Sequence, residues 1–299
     1  MPSISVVINT RNEEENLPRA LKSIKSLADE IIVVDMESTD STVGIAKKAG
    51  AKVFEHKHTG IVETARNFAI SKATGDWILI LDADEEIKPD LTKTLKELSE
   101  SQEADYYRIP RKNIVFGKWM KHSRWWPDHI IRFFKKGKVE WSEIIHSVPT
   151  TTGRGVDLEA QENNSIVHHH YENIEQFLNR MNVYTTKQAE MLAKSGYKFD
   201  WKDLIKKPVN EFLSRYFFGS GYKDGVHGLA LASLQACSEI TLYLKVWQAE
   251  KFKEQETPIK EVIKAMKFSE SDIHYWQADS LFKEHGGVVN RIKRKLKLR

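Results

Sequence analysis

The chain has 299 residues, of which 40% are hydrophobic and 29% are charged, and its formal net charge is +4. This length and composition predict one large domain, or one domain with a helical appendage, and exclude a wholly disordered or collagen-like chain. The single cysteine, Cys237, excludes an internal disulfide framework and is typical of a protein in a reducing compartment.

The hydrophobic pattern predicts neither a membrane-spanning helix nor a secretory signal. No stretch reaches about 18 uninterrupted apolar residues, and residues 1–3 lead directly into a strand-like run. We therefore expect a cytoplasmic protein.

The positive charge is concentrated in residues 291–299, which carry six basic side chains and no acidic one. Subtracting these six from the total of +4 leaves a net charge of −2 on the first 290 residues. Such a basic segment can bind anionic lipid or nucleic acid, or can simply keep a frayed segment solvated.

The first hundred residues alternate between short apolar runs and helix-compatible segments. The predicted strands cover residues 4–8, 31–34, 52–55 and 77–81, and the predicted helices cover residues 13–24, 39–48, about 61–73 and 89–100. Buried strands separated by helices predict an α/β fold with a Rossmann-like, mostly parallel sheet covered on both faces.

After residue 104 the pattern changes. Strand-like pieces at 106–109, 114–116 and 130–134 lie too close together for intervening helices, which predicts antiparallel extensions of the sheet. From Ile174 onward, apolar residues recur at helical spacing. We therefore expect a catalytic domain over residues 1–170 and a helical region over residues 171–299.

One part of the helical region, residues 225–238, contains no Asp, Glu, Lys or Arg. Core packing explains such a stretch. A helix lying in a membrane interface explains it as well, with Arg215, Lys223 and the segment 291–299 on the lipid headgroups.

Polar residues follow three of the four predicted strands, at residues 9–13, 35–40 and 82–85. Ligands of open parallel sheets bind at the carboxyl ends of the strands, so this edge is the predicted site. Asp82 and Asp84 are two residues apart, and an extended backbone would place them on one side, where their charges repel. Mg²⁺ or Mn²⁺ held together with a diphosphate would relieve this repulsion and stabilise a departing diphosphate.

A resemblance to the family 2 inverting glycosyltransferases, which have the GT-A fold, lies in the segments SVVINTRNEEENLPRALKSI, EIIVVDMESTDST, ETARNFAI and GDWILILDADEEI. Two further segments, WWPDHIIRFFKKGKVEWSEIIH and IVHHHYENIEQF, resemble the bacterial subgroup related to the β-1,4-glucosyltransferases of lipopolysaccharide core assembly. The resemblance implies metal-dependent transfer of a sugar from a nucleotide-sugar, expected to be a UDP-sugar, to a lipid-linked or saccharide acceptor. It also implies an association with the cytoplasmic face of the inner membrane and no nucleic-acid partner.

The same resemblance implies which residues bind the nucleoside. Thr10, Asn12 and Glu13 would lie at the base and ribose, and Asp35 would accept hydrogen bonds from the base. Many relatives have a second acidic residue where this chain has Met36, so the base specificity stays open.

For the phosphates and the metal, the resemblance implies roles for four residues. Arg66 matches an arginine near the nucleotide, and Asp82 and Asp84 match the D-x-D motif that holds ribose and metal-diphosphate, with Asp84 the more direct metal ligand. His168 falls where GT-A enzymes often place a late histidine. The run HHH at 168–170 does not predict zinc, because strand residues alternate faces and no Cys or further His lies nearby at suitable spacing.

Inverting displacement needs a group that takes the proton of the acceptor hydroxyl. The candidates are Asp128, Glu143 and His146, all in the predicted antiparallel segment. Asp128 ends the sequence WWPD, whose tryptophans can stack on a sugar face. Members of the subgroup often have a glutamate where this chain has Ser147, and the choice among the three candidates stays open.

Two other functions are compatible with parts of the pattern. A sugar-phosphate nucleotidyltransferase shares the sheet, but it needs a Gly-rich loop after the first strand, where this chain has the acidic TRNEEEN. A non-catalytic membrane- or nucleic-acid-binding protein on the same fold is favoured only by the basic segment 291–299, which no basic-aromatic platform accompanies.

Overall fold

The computed structural model describes residues 1–58, 63–101, 103–141 and 149–297, and of residues 63 and 64 it describes only the backbone. The chain divides into two compact units. Unit 1 comprises Met1–Ile114 and Trp126–His170, and unit 2 comprises Val115–Trp125 and Tyr171–Arg299.

The strands, in chain order, are β1 (Ile4–Thr10), β2 (Glu30–Asp35), β3 (Lys52–Glu55), β4 (Trp77–Ile80), β5 (Glu85–Ile87), β6 (Tyr106–Val115), β7 (Lys118–Trp119), β8 (Asp128–Lys135), β9 (Val139–Glu140), β10 (Thr150–Thr151), β11 (Gly155–Asp157) and β12 (Ile166–Tyr171). The α-helices are α1 (Leu17–Ile24), α2 (Thr42–Lys48), α3 (Glu63–Lys72), α4 (Pro89–Glu100), α5 (Ile174–Lys194), α6 (Asp203–Leu213), α7 (Val226–Ala249), α8 (Ile259–His285) and α9 (Val288–Leu296).

The main sheet follows the order β3-β2-β1-β4-β8-β6-β12-β5. The first four strands in this order run parallel. Strand β8 pairs antiparallel with both β4 and β6, and β12 pairs antiparallel with β5. The α/β class, the parallel first half and the antiparallel extensions are therefore as predicted from the sequence.

Strand β1 is buried along its whole length, because helices cover both faces of the sheet. Val6 and Ile8 pack with Leu17 of α1 on one face, and Val7 packs with Ala69 of α3 on the other. Each such buried aliphatic side chain contributes roughly 1.5–3 kcal/mol to folding. The central strand thus holds its carboxyl end rigidly in place.

Two helices begin later than the sequence predicts. Residues 13–16 form a turn, with the Asn16 amide donating to the Glu13 carbonyl at 3.1 Å, and α1 begins at Leu17 with Pro18 in its first turn. Proline suits this position because its missing N–H would have had no partner there. Helix α2 begins at Thr42, whose amide donates to Asp40 Oδ1 at 3.0 Å. The loops after β1 and β2 are correspondingly longer, which leaves them free to bind a ligand.

In unit 2, helix α7 packs against α5 and α6 and buries Leu231, Ala232 and Tyr243. This packing accounts for Leu231 and Ala232 of the charge-free stretch at residues 225–238, while Val226 and Leu229 of the same stretch are 72% and 42% exposed. Within the described ranges, no helix combines the length and apolar character that crossing a bilayer requires.

The segment Val115–Trp125 is tied into unit 2 by the buried Asp224. The Asp224 carboxylate accepts hydrogen bonds from the His122 amide at 2.9 Å and lies 3.0 Å from His122 Nδ1. Ser123 Oγ donates to the Arg215 carbonyl at 2.5 Å. A segment that interrupts the sheet in sequence therefore belongs to the helical unit in space.

Candidate active site

The carboxyl ends of β1 and β2 form the first part of the site. Thr10 pairs with Asp35 in the parallel register, and both side chains are buried. Asp35 Oδ2 accepts a hydrogen bond from the Ser38 amide at 3.0 Å. Asp35 Oδ1, Thr10 Oγ1 and Asn9 Oδ1 are buried and have no hydrogen-bond partner within the described part of the chain. Buried polar atoms are normally paired, so three of them at one sheet edge indicate a ligand-binding position.

Asn12 and Glu13 join the loops that follow β1 and β2. Asn12 has a positive φ of 53°, a conformation that asparagine tolerates well. Its amide donates to Ser38 Oγ at 2.8 Å, and its Oδ1 accepts from the Thr39 amide at 2.8 Å. The Glu13 amide donates to Thr42 Oγ1 at 2.8 Å. These contacts fix the rim around Thr10 and Asp35.

The segment from Asp82 to Glu85 is a turn. Strand β4 ends at Ile80, the Glu85 amide donates to the Asp82 carbonyl, and the Asp82 amide donates to Glu85 Oε2, both at 2.9 Å. The expectation that an extended backbone places Asp82 and Asp84 on one side is therefore wrong, because the chain reverses there.

Two arginines neutralise Asp82. Arg66 Nη2 lies 3.0 Å from Asp82 Oδ1, and Arg132 Nη2 contacts both Asp82 Oδ2 and, at 3.1 Å, Glu85 Oε1. Burial opposes the charge of Asp82, but Arg132 and then Arg66 outweigh it and lower its pKa to about 2. Burial likewise opposes the charge of Arg132, while Asp82 and Glu85 raise its pKa above the usual range. Asp82 is thus ionised and held in place by the protein itself.

Asp84 and His168 form the second part of the site. Both are buried, and His168 Nε2 lies 3.5 Å from Asp84 Oδ2 and 3.2 Å from His170 Nδ1. His168 Nδ1 lies 2.7 Å from Asn113 Oδ1, while Asn113 Nδ2 donates to Asp128 Oδ2 at 3.2 Å. Because the Asn113 oxygen can only accept, His168 Nδ1 carries a proton, and His168 Nε2 is directed toward Asp84 and His170.

These groups fit a hard divalent cation that also binds a diphosphate. Asp84 offers a carboxylate oxygen and His168 an imidazole nitrogen. No cluster of three or more His, Cys, Asp or Glu side chains suited to holding a metal occurs in the described ranges. Mg²⁺ and similar cations usually take only one or two protein ligands and complete their coordination with phosphate and water, so two protein donors suffice.

Asp128 begins β8, directly after the cis peptide bond between Trp126 and Pro127. Arg111 Nε and Nη2 lie 2.8 and 2.7 Å from Asp128 Oδ2, and Asn113 Nδ2 donates to the same oxygen. All three contacts thus orient the carboxylate through a single oxygen. The other two candidate bases, Glu143 and His146, lie outside the described residues.

Next to Asp82 lies a cavity of about 420 Å³, confined to unit 1. Its walls are rich in cationic and aromatic side chains, including Arg66, Arg108, Arg111, Arg132, His129 and Trp141. The Arg66 guanidinium lies 5.7 Å from the centre of the Trp141 ring. The cavity can therefore accept an anionic or sugar-like group beside the ionised Asp82.

Sequence reasoning missed Arg111, Asn113 and Arg132, and it included Asn9 and Glu85 only as members of the polar segments 9–13 and 82–85, without a role of their own. The available signal for Arg132 is its place in the apolar run IIRFF, since a cation between core residues predicts a buried ion pair. Glu85 is fully buried beside it, 47 residues away in sequence. No local pattern reports such a long-range contact.

The model of the glycosyl transferase family 2 matches residues 5–160 of the chain. The protein belongs to this family. An uncharacterised glycosyltransferase of Rickettsia typhi is 33% identical to it over 237 residues, which cover 76% of this chain and 81% of that protein. The lipopolysaccharide core biosynthesis glycosyltransferase LpsC of Rhizobium meliloti is 25% identical over 252 residues, with coverage of 82% and 92%.

Two solved structures are also similar to this chain. Residues 1–349 of Staphylococcus aureus TarS in complex with UDP align with a TM-score of 0.46 and 15% identity, over 85% of this chain and 93% of that one. Glucosyl-3-phosphoglycerate synthase from Mycobacterium tuberculosis, in complex with Mn²⁺, UDP and glucosyl-3-phosphoglycerate, aligns with a TM-score of 0.32 and 25% identity over 38% and 44%. The sheet order, the flanking helices and the family membership agree with the GT-A fold that the sequence predicts, followed by a helical region.

Proposed function

We propose that this family 2 enzyme transfers a hexosyl group from a UDP-sugar to a lipid-linked or saccharide acceptor, with inversion at the anomeric carbon and with Mn²⁺ or Mg²⁺ bound. The observation that carries the proposal is the joint arrangement at one sheet edge. Unsatisfied polar atoms of Asn9, Thr10 and Asp35 lie at the carboxyl ends of β1 and β2. Asp84, which follows β4, lies beside His168 of β12.

In this proposal the nucleobase of the donor binds at the unsatisfied oxygens of Asp35 and Thr10. Asn12 and Glu13 hold the surrounding loops in place. The buried Asp35 Oδ1 accepts no hydrogen bond from the described residues, and the imide N–H of uracil can donate one to it. This match supports UDP as the nucleotide. Asp82 accepts the ribose hydroxyls, since its ionised state and its two arginine partners keep it an acceptor.

Asp84 and His168 would hold the cation together with the diphosphate oxygens. The bound cation would neutralise the negative charge that accumulates on the departing diphosphate. Asn113 keeps the proton of His168 on Nδ1 and so keeps Nε2 available as a ligand. Asp82, Asp84 and His168 then form the D-x-D motif and its late histidine.

We assign Asp128 as the base, with Glu143 and His146 as the other candidates. During transfer, the acceptor oxygen forms a bond to the anomeric carbon, the bond from that carbon to the diphosphate oxygen breaks, and the hydroxyl proton passes to the carboxylate. Arg111 and Asn113 orient Asp128 through Oδ2, which leaves its Oδ1 for the acceptor.

We infer the acceptor class and the location by analogy with one relative. LpsC is named for lipopolysaccharide core biosynthesis, which supports a cell-envelope glycan as the acceptor and a cytoplasmic enzyme associated peripherally with the membrane. We propose no nucleic-acid partner for the enzyme, because Arg66, Arg111 and Arg132 beside the cavity are paired with carboxylates of the site.

A screen of nucleotide-sugars for metal-dependent hydrolysis tests this function. We expect UDP to be released from a UDP-sugar in the presence of Mn²⁺ or Mg²⁺, and we expect a chelator to stop the release. Asp84→Asn should lower turnover by at least about 100-fold, because the metal ligand and its charge are lost. Glu86→Gln is the matched control, since its carboxylate is two residues away and pairs with Lys88. Full turnover by Asp84→Asn, or turnover unaffected by the chelator, would contradict the proposal.

A further inference from the structure

Helix α9 folds back on α8 and turns its polar side chains toward that helix. The two helices are joined by Gly286 and Gly287, which have φ values of 67° and 92°. Arg294 Nη1 donates to Asp279 Oδ1 at 3.0 Å, and its guanidinium lies 4.8 Å from the centre of the Phe282 ring. Lys297, which follows α9, donates to Asp272 Oδ1 at 2.8 Å. The contact between the two helices is therefore mainly ionic.

The opposite side of α9 carries a stripe of exposed apolar residues. Val288, Val289, Ile292 and Leu296 are 73%, 65%, 49% and 58% exposed. At about 100° per residue these four fall within one arc of about 100°, on the side away from Arg294. A surface helix normally turns such a stripe toward the core, and α9 does the reverse. A contiguous apolar face directed outward indicates an interaction surface.

The borders of the stripe are cationic. Arg291, Lys293 and Lys295 flank it and form no ion pair with any described residue. Helix α9 contains no acidic residue. A second copy of the chain would bring these like charges together at a symmetric contact, which opposes self-association through this face. Anionic headgroups above an acyl layer match both the charge and the apolar stripe.

We propose that α9 is an interfacial membrane-binding helix that inserts Val288, Val289, Ile292 and Leu296 into the headgroup–acyl boundary of an anionic bilayer. Arg291, Lys293 and Lys295 then contact the lipid phosphates. The biological setting rests on the proposed function, whose peripheral membrane association is here assigned to a particular surface. This surface is distinct from the charge-free stretch of α7, which packs against α5 and α6.

Sedimentation with vesicles tests the assignment on the full chain. We expect binding to vesicles of phosphatidylglycerol and phosphatidylcholine, and at least tenfold weaker binding to phosphatidylcholine alone. The double variant Ile292→Asp and Leu296→Asp should lose at least about tenfold in affinity, because two charges enter the apolar stripe. Lys293→Gln and Lys295→Gln should each lower the affinity for anionic vesicles about fivefold. This difference from the unmodified chain should disappear at high salt.

The matched control is the double variant Ile259→Asp and Ile263→Asp on α8, whose isoleucines are 68% and 45% exposed. It should bind vesicles like the unmodified chain. UDP release without lipid, measured on every variant, should be unchanged and reports correct folding. If that release is absent from the unmodified chain, the proposed function fails while the vesicle result still decides the membrane assignment.

Three results would overturn the assignment. The first is equal binding to neutral and anionic vesicles. The second is an α9 double variant that binds vesicles as tightly as the unmodified chain, or an α8 control variant that loses as much vesicle affinity as the α9 double variant. The third is a chain that self-associates in solution through α9 and does not bind vesicles, which would assign the stripe to a second copy.

Discussion

Asp82 illustrates how the site stabilises a carboxylate without any ligand. Its partners come from two different elements, Arg66 from α3 and Arg132 from β8, and Arg132 also neutralises Glu85. Arg132 and Glu85 are 3% and 0% exposed. A buried charge without its partner is costly, so this network makes the position of Asp82 depend on Arg132.

Replacing Arg132 by leucine should therefore destabilise the protein by about 3–5 kcal/mol, because the buried Glu85 and the partly buried Asp82 lose their shared cation. The measurement is the free energy of unfolding from urea denaturation. The control is Arg108→Leu, which removes an ion pair with Asp157 whose side chains are 48% and 46% exposed. That pair should contribute only about 0–1 kcal/mol. Equal losses in the two variants would show that Arg132 has no special structural role.

Asn113 should control metal binding through His168. Asn113→Leu removes the acceptor that holds the proton on His168 Nδ1, so the ring can turn or change tautomer. We expect the Mn²⁺ concentration for half-maximal UDP release to rise about 10- to 100-fold. Asn164→Leu, which removes a hydrogen bond with Thr94 on another part of unit 1, serves as the control. An unchanged metal requirement in Asn113→Leu would refute this role.

At the scale of the elements, Glu30 connects the amino end of β2 to the amino ends of three other parallel strands. It begins β2 and accepts hydrogen bonds from Ser5 of β1, Lys52 of β3 and the Thr74 amide that precedes β4. Burial opposes its charge, but Lys52, Ser5 and Thr74 lower its pKa from 4.5 to about 2. The carboxylate is thus bound more favourably in the folded chain than in the unfolded one.

Because this pKa is lowered on folding, the stabilisation is complete above about pH 4.5 and is lost as the pH falls toward 2. Glu30→Gln should cost about 1.5–3 kcal/mol at pH 7, the usual range for hydrogen bonds to a charged group. Urea unfolding of both proteins from pH 7 down to pH 3 checks this. The difference in stability should shrink as the pH falls below 4.5, and a difference that stays constant would exclude the carboxylate charge as its cause.

The packing of α7 depends on a glycine. A Cβ at Gly228 would lie 1.8 Å from the Gly221 carbonyl oxygen, too close for any backbone to remain in place. Gly228→Ala should destabilise the protein by about 1–3 kcal/mol or more. Gly44 in α2 is the matched helical control, since a Cβ there meets nothing within 4 Å, and Gly44→Ala should stabilise by about 0.5–1 kcal/mol. Thermal and urea unfolding of the two variants should therefore shift in opposite directions, and a shift in the same direction would contradict the packing described.

Apolar runs predict the central strands of unit 1 well, because β1, β2 and β4 are buried on both faces and contain little else. Polar residues in the middle of a strand defeat the same reasoning. Strand β6 runs unbroken from Tyr106 to Val115, although the sequence predicts two pieces. Arg111 and Asn113 remain in the strand because their side chains bind groups of the site.

At the scale of the whole molecule, the sequence predicts which sheet edge forms the candidate site. It does not predict which residues contact the side chains of that site and hold them in position. Thr10 and Asp35 follow apolar runs, and the rule for parallel sheets then places them side by side. The pairs Arg132–Glu85 and His168–Asn113 join residues 47 and 55 positions apart. No spacing rule gives such contacts, since they depend on the order of β8, β6, β12 and β5 in the sheet.

Charge is also distributed unevenly over the molecule. Residues 291–299 carry six basic side chains, while the remaining chain is slightly acidic. The sequence alone reveals this asymmetry, but it does not reveal which side of α9 faces α8. The ionic contacts of Arg294 and Lys297 decide that question, and they direct the apolar stripe outward.

The most direct test is a crystal structure of the protein with UDP and Mn²⁺. We expect Mn²⁺ within about 2.0–2.3 Å of an Asp84 carboxylate oxygen and of His168 Nε2, with the uracil ring hydrogen-bonded to Asp35 Oδ1. A complex in which Mn²⁺ and the diphosphate lie away from Asp84 and His168, while Asp35 stays without a partner, would contradict this expectation.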